Sequence, residues 1–160
     1  MAGHCNIPIR EYSERARDHP IIASVFDYWC GLSDGRAPAK AAFDFMKVYQ
    51  CAPYLLMAER NEPQRYKFIY CGTWVAENFP LDLTGKTYAA DSPRVSRVEW
   101  PSFFSEVIDT PCVRFGNAPI DWPSRDFADI DYGVFPLCDT DGKLRYALAC
   151  LVFNERPWPR

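Results

Sequence analysis

The stretch that most constrains the fold of this chain is residues 65–86, where a strand pattern runs straight into a helical one. Tyr66, Phe68 and Tyr70 alternate with the residues between them, and a two-residue period is typical of a β-strand. The alternation predicts a strand that ends just before Gly72.

The predicted strand is followed at once by a helix start. Gly72 breaks the alternation, and Thr73 can cap a helix by accepting a hydrogen bond from an N–H of the first turn. Residues 74–79 supply about a turn and a half of helix, and Pro80 ends it because proline has no N–H to donate. We therefore predict a strand-to-helix junction under which an aromatic side chain is buried.

The composition indicates one globular domain. The chain has 160 residues, of which 48% are hydrophobic and 24% charged, enough for a hydrophobic core. A net charge of -3 provides no basic field for a phosphate backbone, which argues against a nucleic-acid partner. The N-terminus is too polar for a signal peptide, and the longest apolar run, residues 52–58, is far too short to span a membrane. We expect a cytoplasmic protein with no membrane partner.

The seven cysteines are odd in number and include no CxxC pair. Most lie within apolar runs, which indicates buried thiols in a reducing compartment rather than disulfides or a zinc site. His4 and Cys5 are expected to belong to a frayed terminus.

Residues 11–32 carry a helical pattern. The apolar side chains recur at three- and four-residue steps and form one stripe: Ile21, Ile22, Val25, Phe26 and Trp29. Pro20 marks the start of the main helix, because proline is tolerated in a first turn. A second, short helical segment is predicted at residues 43–50, with Asp44 near its start.

Four further strands are predicted, and their spans are residues 54–60, 112–116, 130–138 and 144–153. The last two are joined by a hairpin turn at residues 139–142. Before these strands, Ser92 and Pro93 open a longer helix that Pro101 should kink or divide. Both faces of the last strand are apolar, so both must be covered. The middle helices cover one face, and the N-terminal helix either covers the other or pairs with a second subunit.

The predicted fold class is α+β, with a five-stranded antiparallel sheet, helices inserted after the second strand and an N-terminal helix, which is the PAS topology. Five short motifs carry a closer resemblance: residues 26–29 (FDYW), 35–38 (GRAP), 68–73 (FIYCGT), 83–85 (LTG) and 135–137 (FPL). In this order they resemble a family of stand-alone bacterial PAS domains. We divide the chain into an N-terminal extension (1–19), an N-terminal helix (20–36), a PAS-like domain (37–154) and a tail (155–160).

The resemblance implies sensing or regulation, although a fold alone never fixes a function. Two departures from the family pattern bear on the ligand. Ala39 and Lys40 stand where the family has Ser-Arg, and Ile69 and Tyr70 occupy the stretch where an arginine often precedes the Gly-Thr. If those arginines bind a charged group of the ligand in the family, this chain is expected to bind a less polar ligand or no ligand.

An aromatic wall is expected around a cavity between the middle helices and the sheet. Its members are Tyr70, Trp74, Tyr88, Trp100 and Phe104. The same residues could equally form a packed core.

The sequence assigns no cofactor to this cavity. Haem is not expected, because its axial ligand is commonly a histidine and the histidines are confined to the N-terminal region. Residues 112–115 are similar to the cysteine motif of flavin photosensors, but that motif lies on a helix and these residues are predicted to form a strand.

The acidic clusters are interpreted as structural. The sequence from Asp139 to Gly142 matches the start of a calcium-binding loop. Cys150, however, stands at the position where such a loop requires a bidentate glutamate, so a hairpin turn is favoured. Asp126, Asp129 and Asp131 are expected in a solvated loop before a strand.

Three functions follow as hypotheses. The first is a sensor or regulatory module that takes a small, mostly apolar ligand and passes its signal to a protein partner, since no output domain is recognised. The second is a ligand-free interaction module that forms a homodimer through the N-terminal helix. The third is an isomerase-like enzyme with Asp82 or Asp91 as base, which is disfavoured because the core offers no histidine.

Overall fold

The computed structural model describes residues 7–32, 36–62, 65–78, 85, 87–89, 100–120 and 127–155. It confirms the α+β class. The α-helices are α1 (Glu14–Asp18), α2 (Pro20–Gly31), α3 (Thr73–Asn78) and α4 (Trp100–Asp109). The strands are β1 (Ile9–Glu11), β2 (Leu55–Glu62), β3 (Arg65–Cys71), β4 (Thr87–Ala89), β5 (Val113–Pro119), β6 (Phe127–Cys138) and β7 (Leu144–Glu155). Short 3-10 helices occupy Lys40–Ala42, Phe45–Val48 and Ala52–Tyr54.

The described strands form one mixed sheet of seven strands in the order β1-β5-β6-β7-β2-β3-β4. The five strands predicted from sequence are β2, β3, β5, β6 and β7, and every neighbouring pair among them is antiparallel. The sheet is larger than the predicted five because β4 extends one edge and β1 extends the other, where it runs parallel to β5.

Apolar layers cover both faces of the sheet. On one face, α3 and α4 contribute Val75, Phe104 and Val107 to a buried cluster. On the other, α2 and the 3-10 helices pack over Phe115 and Phe135. Four of the five stripe residues on α2 are buried in this second layer, namely Ile22, Val25, Phe26 and Trp29. The stripe therefore covers the sheet of its own chain, and a homodimer through this helix stays a prediction that would have to use other side chains.

The helical pattern of residues 11–32 is divided at His19, and α2 begins at Pro20 as expected. His19 is extended (φ -61°, ψ 128°), and its side chain accepts a hydrogen bond from the backbone N–H of Ile21. The helix predicted at residues 43–50 is a 3-10 helix, Phe45–Val48, capped by Asp44 through the N–H of Met46.

The β6–β7 hairpin is confirmed. Gly142 takes a φ of +80°, a conformation that costs glycine little. Asp139 Oδ1 accepts from the N–H groups of Asp141 and Lys143, so the carboxylate stabilises the turn.

Several predicted features lie outside the described residues. They are Pro80, the Leu-Thr of the turn at residues 83–85, the helix opening at Ser92 and Pro93, and the candidate bases Asp82 and Asp91. The described part of α4 begins at Trp100, so the kink expected at Pro101 stays a prediction.

Candidate functional site

Two members of the predicted aromatic wall, Trp74 and Phe104, lie on the same face of the sheet. Phe104 is fully buried, with its ring centroid 5.4 Å from that of Tyr66 in an edge-to-face contact. Trp74 is half-buried, and its ring centroid is 6.0 Å from Tyr54 and 5.8 Å from Phe127. Both side chains therefore belong to the layer between α3, α4 and the sheet.

Tyr70 lies on the opposite face, so the prediction that it shares this wall is wrong. The pairing of β2 with β3 shifts between Met57 and Ala58, which pair with Tyr70 and Phe68 respectively. This bulge inserts Ile69 and reverses the alternation, because one extra residue moves every later side chain to the other face. The ring centroid of Tyr70 lies 4.4 Å from that of Phe45 in a tilted contact, and the Tyr70 hydroxyl donates to the carbonyl of Ala52 at 3.1 Å.

The remaining two members of the wall are placed only by their backbones. Tyr88 lies in β4 opposite Tyr66, and Trp100 is the first residue of α4. Their side chains are outside the described part of the structure.

Two polar contacts, which the sequence pattern did not reveal, join α4 to the β2–β3 hairpin. Tyr66 Oη and Ser105 Oγ are 2.7 Å apart, and both residues are buried. One helical turn later, Asp109 forms an ion pair with Arg60. Burial raises the pKa of Tyr66, because an apolar surrounding disfavours the phenolate. Ser105 and Asp109 are four residues apart on one helix, so both contacts fix the same side of α4.

The motifs quoted for the PAS resemblance meet in the folded chain. The indole N–H of Trp29 donates to the carbonyl of Pro136 at 3.0 Å inside the α2 layer. Two residues further along β6, the N–H of Cys138 donates to the carbonyl of Pro38 at 2.9 Å. On the other side, the N–H of Gly85 donates to the carbonyl of Phe68 at 3.1 Å. Trp29 thus ties α2 to the FPL segment of β6, and Pro38 ties the segment after α2 to the residue that follows FPL.

A polar cluster lies at the end of the sheet under α1, and it replaces the solvated loop expected for Asp129 and Asp131. Both aspartates are within β6, and Asp131 is only 1% exposed. Asn117 on β5 and Asn154 on β7 each donate to both carboxylates at 2.6–2.9 Å. The guanidinium of Arg15 reaches Asp131 at 3.2 Å.

The sequence carried a signal for this cluster. Asp129 and Asp131 alternate with Ile130 and Tyr132, which is a strand pattern rather than a loop pattern. Asp126 lies outside the described residues.

The surface of the described residues carries shallow grooves. One of about 330 Å³ lies between α2 and the 3-10 helix Phe45–Val48, lined in part by Ser24, Tyr28 and Cys51. Another of about 200 Å³ is lined by residues of β1, α4 and β5, among them Arg10 and Arg114. The first groove lies on the α2 side of the sheet, and the second lies where α4 meets the edge strands β1 and β5.

Burial makes three of the cysteines poor nucleophiles. It raises the pKa values of the Cys51 and Cys112 thiols and, most strongly, that of Cys150, so the reactive thiolate is disfavoured. Within the described ranges, no group of three or more His, Cys, Asp or Glu side chains could hold a metal ion. Among the described helices, none has the length and apolar character needed to cross a membrane.

Comparison with known proteins leaves the family open. No family model and no curated protein matches the chain. Among solved structures, the chain is similar to the crystal structure of an IclR transcriptional regulator from Alicyclobacillus acidocaldarius, at 13% identity and a TM-score of 0.34. The match covers 87% of this chain and 60% of that one, so the chain spans less than two thirds of its length. A likeness at this TM-score carries no functional argument.

Proposed function

We propose that this chain is a cytoplasmic PAS-like sensory or regulatory module that binds a small, mostly apolar ligand between α4 and the sheet. The observation that carries the proposal is the strand order β5-β6-β7-β2-β3, antiparallel throughout. The chain leaves β3, passes through α3, the edge strand β4 and α4, and re-enters the sheet at β5 on its far side. This crossover is the one expected of the PAS topology.

The contacts between the quoted motifs support the same proposal. Trp29 with Pro136, and Gly85 with Phe68, are pairs of motif residues that meet through direct hydrogen bonds, and Pro38 is bonded to Cys138, the residue after the FPL motif. Such contacts give the motifs a structural reason to occur together.

The chemistry of the α4 layer favours an apolar ligand. Its walls are mainly aromatic and aliphatic, and two of its buried hydroxyl groups, on Tyr66 and Ser105, are hydrogen-bonded to each other. Ile69 stands in the stretch where the family that the chain resembles often has arginine, and the Ile69 side chain packs into the opposite layer. The ligand is therefore expected to carry few charges and to be recognised mainly by shape.

A thermal-shift screen combined with native mass spectrometry tests this function. The probes are indole, medium-chain fatty acids and aromatic carboxylic acids, added to the full chain. At least one should raise the unfolding temperature and form a one-to-one complex, because a ligand that binds only the native state stabilises it. If no probe shifts the midpoint and the chain carries no bound small molecule when isolated from cells, the sensor proposal fails.

Variants on the two faces locate the bound compound. Phe104→Leu changes the α4 layer and should reduce the thermal shift, whereas Tyr70→Leu lies on the other face and should leave it unchanged. Each shift is measured against the same variant without ligand, so that loss of stability is not mistaken for loss of binding. A shift that depends on Tyr70 but not on Phe104 would move the site to the other face.

A second candidate function is a protein-interaction module. Met46 and Tyr49 are 75% and 62% exposed at the 3-10 helix beside α2, and their three-residue spacing places them on the same side of it. A homodimer or a signalling partner could use this surface. Light scattering of the wild type and of a Met46→Ser, Tyr49→Ser double variant tests self-association: a dimer in the wild type should become a monomer in the variant. Neither candidate assigns a catalytic activity to the chain.

A further inference from the structure

The N-terminal strap, defined as residues 8–18 and containing β1 and α1, has few apolar anchors. Within α1 only Ala16 is buried. Ile9 and Tyr12 are 41% and 58% exposed. The β1 strand pairs with β5 through just two register positions, with an irregularity between them. Apolar burial alone therefore holds this segment weakly.

The side chain that forms an ion pair between the strap and the sheet is Arg15. Its Nε lies 3.2 Å from Asp131 Oδ2, and its Nη2 lies 3.9 Å from Asp129 Oδ1. The amide donors to these carboxylates, Asn117 and Asn154, belong to β5 and β7 and stay with the sheet. Arg15 therefore supplies the positive charge that the strap brings to a nearly fully buried carboxylate.

The strap is joined to the rest of the chain at one point that suits a hinge. His19 ends α1 and caps α2 in an extended conformation, and Pro20 follows it. Proline cannot donate the hydrogen bond that would continue α1 into α2. Rotation about His19 can thus move α1 without unwinding α2.

The next helix is anchored far more firmly than the strap. Val25, Phe26 and Trp29 are buried on α2, and the indole of Trp29 is hydrogen-bonded to β6. Local opening follows the density of buried contacts. The strap should therefore open while α2 remains packed.

We propose that the N-terminal strap is a conformational device that detaches as a unit about His19 and is held on the sheet by the ion pair of Arg15 with Asp131. In the open state, the edge of β5 near Val113 loses its strand partner, and the two carboxylates lose their cation. An unpaired strand edge is a template for another chain, so opening exposes a surface that the closed state hides. Because Arg15 is 63% exposed, salt screens the ion pair and shifts the equilibrium toward the open state.

Hydrogen exchange of the full chain, followed by mass spectrometry of peptides from the strap and from α2, tests this device. We compare the wild type with Arg15→Gln at low salt and in molar NaCl. Loss of the ion pair should speed exchange of the strap roughly two- to fivefold, the range for a partly exposed pair, and leave α2 unchanged. Salt should speed the strap in the wild type but have no further effect in Arg15→Gln.

Two further variants separate the ion pair from general effects. Arg15→Lys keeps the charge and should retain the salt response. Arg145→Gln removes an arginine that pairs with Glu59 on strands remote from the strap, and it should behave as the wild type. The proposal is overturned if the strap of Arg15→Gln exchanges at the wild-type rate, or if the strap and α2 exchange together as one unit.

Discussion

Gly72 lies so close to Pro53 that a Cβ built on it would stand 2.3 Å from the carbonyl oxygen of Pro53. The carbonyl of Ala52 would be 2.4 Å away, and the N–H of Gly72 donates to Leu55 at 2.8 Å. The strand-to-helix junction thus depends on a close approach of two backbones that only glycine permits.

Replacing Gly72 should therefore destabilise the fold. Gly72→Val is expected to lower the free energy of unfolding by roughly 3 kcal/mol through overpacking and backbone displacement. Denaturant unfolding measures the change. Gly31→Ala is the control, because a Cβ there meets nothing within 4 Å, and it should be neutral or slightly stabilising. An unchanged unfolding midpoint for Gly72→Val would mean that the backbones do not approach so closely at the strand-to-helix junction.

Thr73→Ala should have almost no effect on stability, in contrast to the loss that a capping role would predict. The helix α3 begins at Thr73 itself, and the carbonyl of Gly72 accepts the first helical hydrogen bond from Ala76 at 2.9 Å. Gly72 thus occupies the cap position, and Thr73 is exposed. We expect a change within about 0.5 kcal/mol. A loss near 1 kcal/mol would restore Thr73 as the cap.

Truncation of Trp74 and of Phe104, two aromatic residues in the layer between α4 and the sheet, should lower the stability by unequal amounts. Phe104→Ala is expected to cost roughly 3–5 kcal/mol, since its side chain is fully buried. Trp74→Ala should destabilise the fold clearly less, because the Trp74 side chain, although larger, is only partly buried. Paired urea titrations decide the order. Equal losses would indicate that Trp74 is core in solution.

A double-mutant cycle should detect the hydrogen bond between Tyr66 and Ser105. Tyr66→Phe and Ser105→Ala each leave one buried hydroxyl without its 2.7 Å partner, and each should lower the free energy of unfolding by about 1–3 kcal/mol. In the double variant the free energy of unfolding should fall by less than the sum of the two, because neither hydroxyl remains to lack a partner. Additive losses would show that the contact contributes nothing to α4 docking.

Stability should fall on the alkaline side. Burial raises the pKa of the Cys150 thiol well above its ordinary value of 9.0, and the unfolded chain therefore releases that proton at lower pH than the folded one. The contribution is complete below pH 9.0 and is lost as the pH rises through the folded value. Urea titrations at about pH 8, 9 and 10 should show this decline, and Cys150→Ala should make it shallower. The same slope in the variant would assign the decline to other groups, of which Tyr66 is one.

Much of the fold could be read from local pattern. The predicted strand at residues 65–71 coincides with β3, and the helix predicted at residues 74–79 begins one residue later than α3. Four of the five residues of the stripe Ile21–Trp29 are buried on α2. Periodicity, glycine and proline act within a few residues of the chain, so these elements are visible without knowledge of their partners.

Local sequence pattern predicts less of the candidate site than of the fold. Tyr70 leaves the predicted wall because of a bulge that exists only in the pairing of β2 with β3. The buried Asp131 needs strands from both sides and the helix α1 to satisfy it. Periodicity predicts which face a side chain occupies only while the register is unbroken. Register, bulges and the meeting of polar groups from distant segments arise from long-range pairing, and only the assembled sheet decides them.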